Sequence, residues 1–117
     1  MMIQKHNLSD CSNAMVKCFE YFHIADLNNH VLHIITAENR TLDFHVHQES
    51  DELFYVIDGK MQIEFEDKCV ELATGDLIVI PKMTKHRPVC TTLVKCLLIE
   101  KKGTLTNENT GGTYTNK

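Results

Sequence analysis

Three histidines and one glutamate in the middle of the chain have the residue types and the spacing of ligands to a single metal ion: His45, His47, Glu52 and His86. Because side chains alternate between the two faces of a strand, His45 and His47 point the same way if they share one strand, about 7 Å apart. Two imidazoles at that separation can converge on one ion. The pair therefore predicts half of a metal site inside a β-barrel.

A carboxylate follows the histidine pair at the beginning of the next predicted strand. The polar stretch 48–51 predicts a turn and the apolar run 53–57 predicts the returning strand, so Glu52 is expected beside the histidines. Asp58 and Gly59 separate this run from another alternating one. That pattern is typical of a hairpin, because Gly59 adopts the positive φ of such turns without steric cost. The sequence thus predicts a β-meander through this region.

The fourth candidate ligand lies in a second, distant segment. Gly75 predicts the turn before a buried strand at 77–80, and Pro81 predicts the end of that strand, because proline cannot donate a hydrogen bond to the ladder. His86 is then expected as an inward residue of the following strand. The fold, rather than the local sequence, has to bring His86 to the other three residues.

Short apolar runs separated by Asn, Asp, Gly and Pro continue from residue 30 to residue 100, and they predict an all-β fold. In residues 61–66 apolar side chains alternate with polar ones, as in a barrel wall with one wet face. Residues 14–27 have no clean period, so no element is predicted there. The predicted strands cover about residues 30–36, 41–47, 52–57, 60–66, 69–72, 77–80, 86–90 and 93–100.

At the candidate ligands the chain resembles the small single-domain cupins, the type-2 cupins that include mannose-6-phosphate isomerase-like proteins. The first motif of that family is usually written Gly, five residues, His-x-His, three or four residues, Glu, six residues, Gly. His45, His47, Glu52 and Gly59 match it with gaps of four and six residues, while Asn39 stands in place of the opening glycine. Asparagine tolerates the left-handed backbone conformation better than most residues, so this departure is mild.

The second motif of the family is Gly, five residues, Pro-x-Gly, two residues, His, three residues, Asn. Gly75, Pro81 and His86 match it, whereas Met83 replaces the inner glycine and Cys90 replaces the asparagine. These two departures leave the fourth ligand in place. They bear on the shape of the loop before His86 and on any role that the asparagine has inside the barrel.

A length of 117 residues and an apolar fraction of 43% suit one compact domain. The resemblance covers about residues 30–101, and it implies a double-stranded β-helix, or jelly-roll barrel, within a single domain over 1–117. The polar segment 1–13 and the Thr-, Asn- and Gly-rich tail 103–117 are expected to be flexible flanks.

Charge and composition argue against several classes of function. A net charge of −4 without a basic stripe opposes nucleic-acid binding, which depends on clustered Lys and Arg. The chain has no signal-like start and no apolar run near the ~18 residues of a membrane span, which predicts no membrane role and a cytoplasmic location. The five cysteines include no Cys-x-x-Cys pair, so reduced thiols are expected rather than disulfides or a zinc ribbon.

Several other polar residues are given weaker roles. Cys90 shares strand parity with His86, so it either faces the cavity or serves as a small buried hydrophobe. Within the cationic group 82–87, Lys82 is the residue best placed to reach a substrate, although an ordinary solvated face explains the group as well. The remaining histidines have no partner at ligand spacing and are expected at edges or in solvent: His6, His23, His30 and His33.

Three imidazoles and one carboxylate form a ligand set that suits one divalent ion of Fe, Mn, Ni, Co or Zn. Four protein ligands leave one or two positions of a five- or six-coordinate ion for a small molecule. No second carboxylate or histidine is identifiable as a separate general base. The sequence therefore supports two hypotheses: a metalloenzyme of the dioxygenase or isomerase type acting on a small polar metabolite, or a non-catalytic protein that binds or senses a metal or small molecule.

Residues 93–99 are apolar on both faces of their predicted strand. A strand that is buried on both sides in so small a barrel indicates that its outer face packs against another subunit. A homodimer is therefore expected.

Overall fold

The computed structural model describes residues 3–15 and 21–104, and these residues form one short helix and nine strands. Four of these elements end before His45, the first candidate ligand, and six strands begin after it. In chain order they are α1 (Leu8–Asn13), β1 (Tyr21–Leu27), β2 (His30–Ala37), β3 (Arg40–Thr41), β4 (Glu52–Asp58), β5 (Lys60–Phe65), β6 (Cys69–Ala73), β7 (Leu77–Ile80), β8 (His86–Cys90) and β9 (Val94–Lys101).

The strands form two antiparallel sheets. One has the order β1-β2-β9-β4-β7, and the other has the order β3-β8-β5-β6. Both sheets combine strands from the two halves of the chain, since β9 pairs with β2 on one side and with β4 on the other. This arrangement confirms the all-β prediction and is a double-stranded β-helix, or jelly-roll barrel.

The inward faces of the two sheets meet in one apolar core. Val56 and Val94 from the first sheet and Ile63 from the second are completely buried in it. Each such side chain contributes about 1.5–3 kcal/mol relative to an exposed position. The core is therefore what holds the two sheets, and with them the candidate ligands, against each other.

The predicted strands agree with the observed ones to within one residue at each end, except for the strand expected at 41–47. There, regular pairing covers only Arg40–Thr41, and His45 adds a single isolated bridge to His86. The structure also contains β1, in a segment for which the sequence predicted no element.

The prediction of a hairpin at Asp58 and Gly59 is wrong, and so is the β-meander. Strand β4 pairs with β7 and β9, whereas β5 pairs with β6 and β8, so the turn carries the chain from one sheet to the other. Gly59 has a φ of 106°, and a Cβ at this position would lie 2.5 Å from the carbonyl oxygen of Leu93. Glycine is thus required by the close approach of the loop between β8 and β9 as well as by the turn.

Two residues that stand in place of family glycines keep a glycine-like backbone. Asn39 has a φ of 53°, as its tolerance of the left-handed region led us to expect, and Met83 has a φ of 68°. The Met83 amide donates a hydrogen bond of 2.8 Å to the carbonyl of His47. The loop before His86 therefore keeps its shape despite the larger side chain, at a strain cost of about 1 kcal/mol or more.

The amino-terminal flank contains α1, for which the sequence predicted no element. Asn7 caps this helix by accepting a hydrogen bond from the Asp10 amide, and Ser12 is buried. The flexible flanks at 1–13 and 103–117 stay a prediction, and residues 105–117 lie outside the described part of the chain. No helix within the described ranges is long and apolar enough to cross a membrane. The location in the cell stays a prediction as well.

Candidate metal centre

The four predicted ligands are positioned by three different parts of the barrel. Glu52 is the first residue of β4 and His86 is the first residue of β8. His45 is joined to His86 by two backbone hydrogen bonds of 3.0 and 3.1 Å. His47 follows in the loop, where its carbonyl accepts the hydrogen bond from Met83. The second sheet thus places His45 and His86, and the first sheet places Glu52 opposite them.

A β-bulge lies between β3 and the histidine pair. The Leu42 amide donates to the Pro88 carbonyl, whereas His45 pairs with His86, so three residue steps on one side correspond to two on the other. The extra residue reverses the alternation of side chains. Because of this reversal, Arg40 and His45 both point into the barrel although one has an even number and the other an odd one.

The side chains of the four residues form one compact cluster. Their candidate ligand atoms all lie within 4.8 Å of one another. His86 Nε2 is 2.9 Å from Glu52 Oε1, and His47 Nε2 is 3.3 Å from Glu52 Oε2. The ring centroids of His45 and His86 are 4.6 Å apart. His45 is half-buried, while the other three are buried, so the cluster could hold an ion that is accessible from the His45 side.

The hydrogen bonds of the imidazoles orient their rings as in a metal site. The Nδ1 atoms of His45 and His86 lie 2.9 and 2.8 Å from the backbone carbonyls of Asp43 and Thr84. An Nδ1–H donated to each carbonyl leaves Nε2 to face the centre, as is usual for metal-bound histidines. The His47 ring, which is 3% exposed, has a 3.3 Å contact from Nε2 to Glu52, while its Nδ1 has no hydrogen-bond partner among the described residues. A metal ion at the centre of the cluster would give this buried imidazole a further partner.

The electrostatics of the cluster keep the glutamate ionised. Burial opposes ionisation of Glu52, but hydrogen bonds with His47 and His86 outweigh it and lower its pKa to about 2. Burial would lower the pKa of His86, yet the hydrogen bond that its Nε2–H donates to the Glu52 carboxylate prevails and raises it. Burial lowers the pKa of His45. The raised pKa of His86 favours a proton on its ring beside the carboxylate in the metal-free protein, and metal binding would compete with that proton.

A cavity opens from the cluster into the barrel. About 490 Å³ of space free of protein atoms lies here, but this figure includes open solvent, and a water-sized molecule can enter only about 40 Å³ of it. Most of its wall is apolar, and Phe54 and Met61 belong to it. The lining residues are Tyr21, Ile35, Ala37, Arg40, Leu42, His45, His47, Glu52, Phe54, Met61, Pro88, Cys90, Val94 and Cys96.

Cys90 combines both roles that its position allowed. It is 3% exposed and it lines the cavity. Burial raises the pKa of its thiol to about 11, although the Arg40 charge opposes this. The thiol therefore stays protonated near neutral pH. It acts as a small, nearly apolar part of the wall, and Cys90, like Cys11, Cys69 and Cys96, forms no disulfide within the described residues.

The cationic group after Pro81 does not reach the cavity. Lys85 and Arg87 lie against the ring of Phe44, and Arg87 also pairs with Glu64. Lys82 is exposed and is absent from the lining. The cationic residue that does line the cavity is Arg40, which the sequence reading missed.

Glu100 is a second acidic residue that the sequence reading missed. It is completely buried on β9, and the pairing of Leu53 with Ile99 places it across from Glu52 on the inward face. Burial and the neighbouring Glu52 charge raise its pKa to about 9. Glu100 does not line the cavity. Among the described lining residues Glu52 remains the only carboxylate, so Glu100 is placed to influence Glu52 rather than a bound molecule.

Two of the histidines left out of the site interact with each other instead. His23 and His33 lie opposite each other on β1 and β2, with ring centroids 5.6 Å apart, and His23 contacts Asp26 at 2.7 Å. His23 is exposed, and His30 and His33 are half-buried. None of them joins the metal-ligand cluster formed by the described residues, in agreement with their spacing.

Comparison with known proteins gives a consistent result. A family model described as the cupin domain matches residues 32–100. The protein YdbB of Bacillus subtilis (strain 168) is 37% identical over 89 residues, which are 74% of this chain and 76% of that protein.

Solved structures with the same architecture are also similar to this chain. A cupin-2 domain containing protein from Shewanella frigidimarina has a TM-score of 0.79 and 29% identity, covering 83% of this chain and 94% of that one. Protein NMB1881 from Neisseria meningitidis has a TM-score of 0.74 at 22% identity, covering 85% and 100%. The second likeness concerns the fold alone.

Proposed function

The chain belongs to the cupin domain family, and from that premise we propose that it is a mononuclear metalloprotein in which His45, His47, Glu52 and His86 hold one divalent transition-metal ion. The observation that carries the proposal is the buried cluster itself, in which the candidate ligand atoms of three imidazoles and one carboxylate all lie within 4.8 Å of one another. Its donor set suits Fe, Mn, Ni, Co or Zn.

The favoured activity is that of a small metalloenzyme of the dioxygenase or isomerase type. When bound, such an ion supplies a Lewis acid that polarises a carbonyl or, in the case of iron, a centre that activates dioxygen. The protein contributes a cavity whose apolar residues, such as Phe54 and Met61, exclude water and orient a small metabolite. Tyr21, whose pKa is raised by burial, offers a neutral hydroxyl as a hydrogen-bond donor.

A non-catalytic binding or sensing role is the second candidate. It is favoured by the composition of the cavity wall, where Glu52 is the only carboxylate among the described lining residues and is already assigned to the metal. A proton-transfer reaction in this cavity would have to use Glu52 itself or a bound water. A protein that only binds its ligand needs no such group.

One experiment tests the metal and separates the two roles. Elemental analysis of protein purified without an affinity tag is expected to give about one equivalent of a transition metal per chain. The metal-loaded protein is then incubated with diketones, sugar phosphates and small oxo acids, and the products are followed by mass spectrometry. Turnover supports the enzyme, whereas saturable binding without product supports the binding role. No metal, even after reconstitution, contradicts the proposal.

A homodimer through the outer face of the five-stranded sheet is part of the proposal. The pairings of β7 with β4 and of β4 with β9 align two rows of apolar side chains on this face. Leu77 and Val79 are 58% and 49% exposed. The two rows are Val79, Leu53 and Ile99, and Leu77, Tyr55 and Leu97. A contiguous apolar surface of this kind suits the self-complementary contact of a two-fold dimer.

Replacing Val79 with lysine is expected to weaken the dimer at least about 100-fold. The two-fold axis buries the new charge twice, and each unpaired lysine costs at least about 1.4 kcal/mol, a factor of ten. Analytical ultracentrifugation measures the dissociation constant. Leu27→Lys is the control, because Leu27 is similarly exposed, at 59%, but lies on β1, at the opposite edge of the sheet from β7. A wild-type monomer, or an unchanged Val79→Lys dimer, contradicts this interface.

A further inference from the structure

A loop over residues 81–85 connects the two halves of the candidate metal centre. The loop begins where β7 ends, and the last residue of β7, Ile80, pairs with Glu52 in the first sheet. It ends at His86, which is bridged to His45 beside the second sheet. The position of His86 relative to Glu52 therefore depends on the path of this loop as well as on the two sheets.

The loop has a strained conformation that its own residues do not explain. None of residues 81–85 belongs to a strand. Met83 lies in the left-handed region, with a φ of 68°, although its side chain is exposed and gains little from packing there. A residue other than glycine keeps such a backbone only when its surroundings impose it. The contacts that hold the loop must therefore come from a neighbouring segment.

Two backbone amides of the loop donate hydrogen bonds to the segment that carries two other candidate ligands. The Met83 amide donates to the carbonyl of His47, and the Lys82 amide donates to Oδ1 of Asp51, each at 2.8 Å. The first acceptor is a main-chain carbonyl, which every residue offers. The second acceptor is a side chain, and it belongs to the residue before Glu52. Asp51 is thus the side chain that joins the two segments.

The segment that contains Asp51 is anchored to the sheet. Ser50 is 1% exposed, and its hydroxyl accepts a hydrogen bond of 2.9 Å from the Lys101 amide of β9. The same hydroxyl donates to the carbonyl of Asp51 at 2.6 Å. A hydrogen bond from an amide to a carboxylate is about twice as strong as one between neutral groups. Asp51 can therefore hold the loop in place from a fixed position.

The loop in turn orients the imidazole of His86. The Thr84 carbonyl lies 2.8 Å from Nδ1 of this ring, and Nε2 of the ring lies 2.9 Å from the Glu52 carboxylate. An Nδ1–H donated to Thr84 keeps Nε2 directed at the cluster. If the loop moved, the ring would lose this constraint and the spacing of the ligand atoms would change.

We propose that Asp51 is a positioning residue of the metal centre, which fixes the loop over residues 81–85 by accepting the Lys82 amide and thereby fixes the imidazole of His86. The effect on metal binding rests on the proposed metal site. The side chain of Asp51 is exposed and is not among the clustered ligands, so it acts through the loop rather than on the ion.

Zinc and cobalt binding to the full chain test this role. Asp51→Ala removes the acceptor and is expected to lower zinc affinity about 10-fold, at the lower end of the effect of groups that orient metal ligands. Asp51→Asn keeps Oδ1 without the charge, so it should lose only about 3-fold, because a neutral acceptor is about half as strong. The visible spectrum of bound cobalt reports ligand geometry, and it should change in Asp51→Ala. A mere loss of stability would leave that spectrum unaltered.

Glu49→Ala is the matched control, because Glu49 is an exposed carboxylate two residues from Asp51 in the same segment. It should bind zinc and cobalt as the wild type does. If Glu49→Ala weakens zinc binding as much as Asp51→Ala, the effect is one of charge, and the positioning role is overturned. A full 10-fold loss in Asp51→Asn, which retains the acceptor, also overturns it.

Hydrogen exchange of the metal-free proteins separates this proposal from the proposed metal site. The Lys82 amide should exchange about 10-fold faster in Asp51→Ala than in wild type, as expected for one lost hydrogen bond, and the NMR signals of the His86 ring should shift. If these changes occur but no protein binds metal, Asp51 positions His86 and the metal site is refuted. If Asp51→Ala binds zinc with wild-type affinity and gives the wild-type cobalt spectrum, the metal site stands and the role of Asp51 is overturned.

Discussion

Replacing His47 with alanine is expected to lower metal affinity by more than about 100-fold, because changes that merely disturb the partners of metal ligands already cost 10- to 100-fold. His47 contributes one of four donors, and its imidazole is 3% exposed. Its one polar contact among the described residues is with Glu52, at 3.3 Å. Elemental analysis should find close to one metal per chain in the wild type and almost none in the variant.

Thermal unfolding gives a second readout of the same change. A ligand at 100 times its dissociation constant stabilises the folded state by about 2.7 kcal/mol, whereas a ligand at its dissociation constant contributes only about 0.4 kcal/mol. For a chain of this size, we expect metal to raise the Tm of the wild type by roughly 10 °C and that of His47→Ala by roughly 2 °C. The metal-free variant should unfold at a somewhat lower temperature than the metal-free wild type, because it lacks the His47–Glu52 contact, so the comparison is between the metal-induced rises in Tm.

His23→Ala is the matched control for this experiment. His23 lies on β1, its side chain is 52% exposed, and it stands outside the cluster. The variant should bind metal and respond to it as the wild type does. Wild-type stoichiometry and a full Tm response in His47→Ala would contradict the assignment of His47 as a ligand.

The candidate site could be predicted from the sequence because its signals are local. His45 and His47 are two residues apart, Glu52 begins the next strand, and Pro81 marks the end of the strand before His86. Each of these features is read from neighbouring residues. The structure brings all four side chains together, as expected.

Arg40 could not be predicted in the same way, because its orientation depends on the bulge. Regular alternation carried back from His45 would point Arg40 and Leu42 outward, like Phe44. The extra residue between Leu42 and His45 reverses this and buries both side chains. The local sequence does not mark the position at which the register of the strand pairing changes, because the partner is the distant strand β8.

The prediction of a hairpin at Asp58 and Gly59 was wrong for a related reason. The dipeptide indicates a tight turn, and the structure contains one, but turn chemistry does not decide which strands pair. Strand β4 pairs with β9, which is distant in sequence, because the inward faces of two sheets have to cover one core. Packing between distant parts of the chain thus decides the pairing of β4, rather than the short connection from β4 to β5.

The burial of Glu100 is another feature that the local sequence could not predict, in this case for an acidic residue. It ends the apolar run of β9, where an acidic residue is expected in solvent, yet the register with β4 buries it across from Glu52. Burial, and then the charge of Glu52, raise the pKa of Glu100 to about 9. Glu100 is therefore neutral in the folded protein near pH 7, but ionised in the unfolded chain.

Glu100→Gln is expected to remove a large pH dependence of stability from the metal-free protein. A folded-state pKa above the unfolded value stabilises the fold at low pH, and this contribution is lost as the pH rises from about 5 toward 9. Between pH 5.5 and 8 the loss for wild type is roughly 3 kcal/mol at 1.36 kcal/mol per pH unit. Glutamine is neutral throughout and has the same shape, so the variant should lose much less.

Urea unfolding of both metal-free proteins at several pH values measures this difference. Since both proteins keep His45 and His86, the comparison cancels most of the contribution that these histidines make to the pH dependence. Glu38→Gln, at an exposed position, should follow the wild-type curve. The two stability curves should meet near pH 5 and separate above it, with Glu100→Gln the more stable at pH 8. Parallel curves would mean that Glu100 is ionised in the fold, and that its buried position across from Glu52 is stabilised by a partner that compensates its charge.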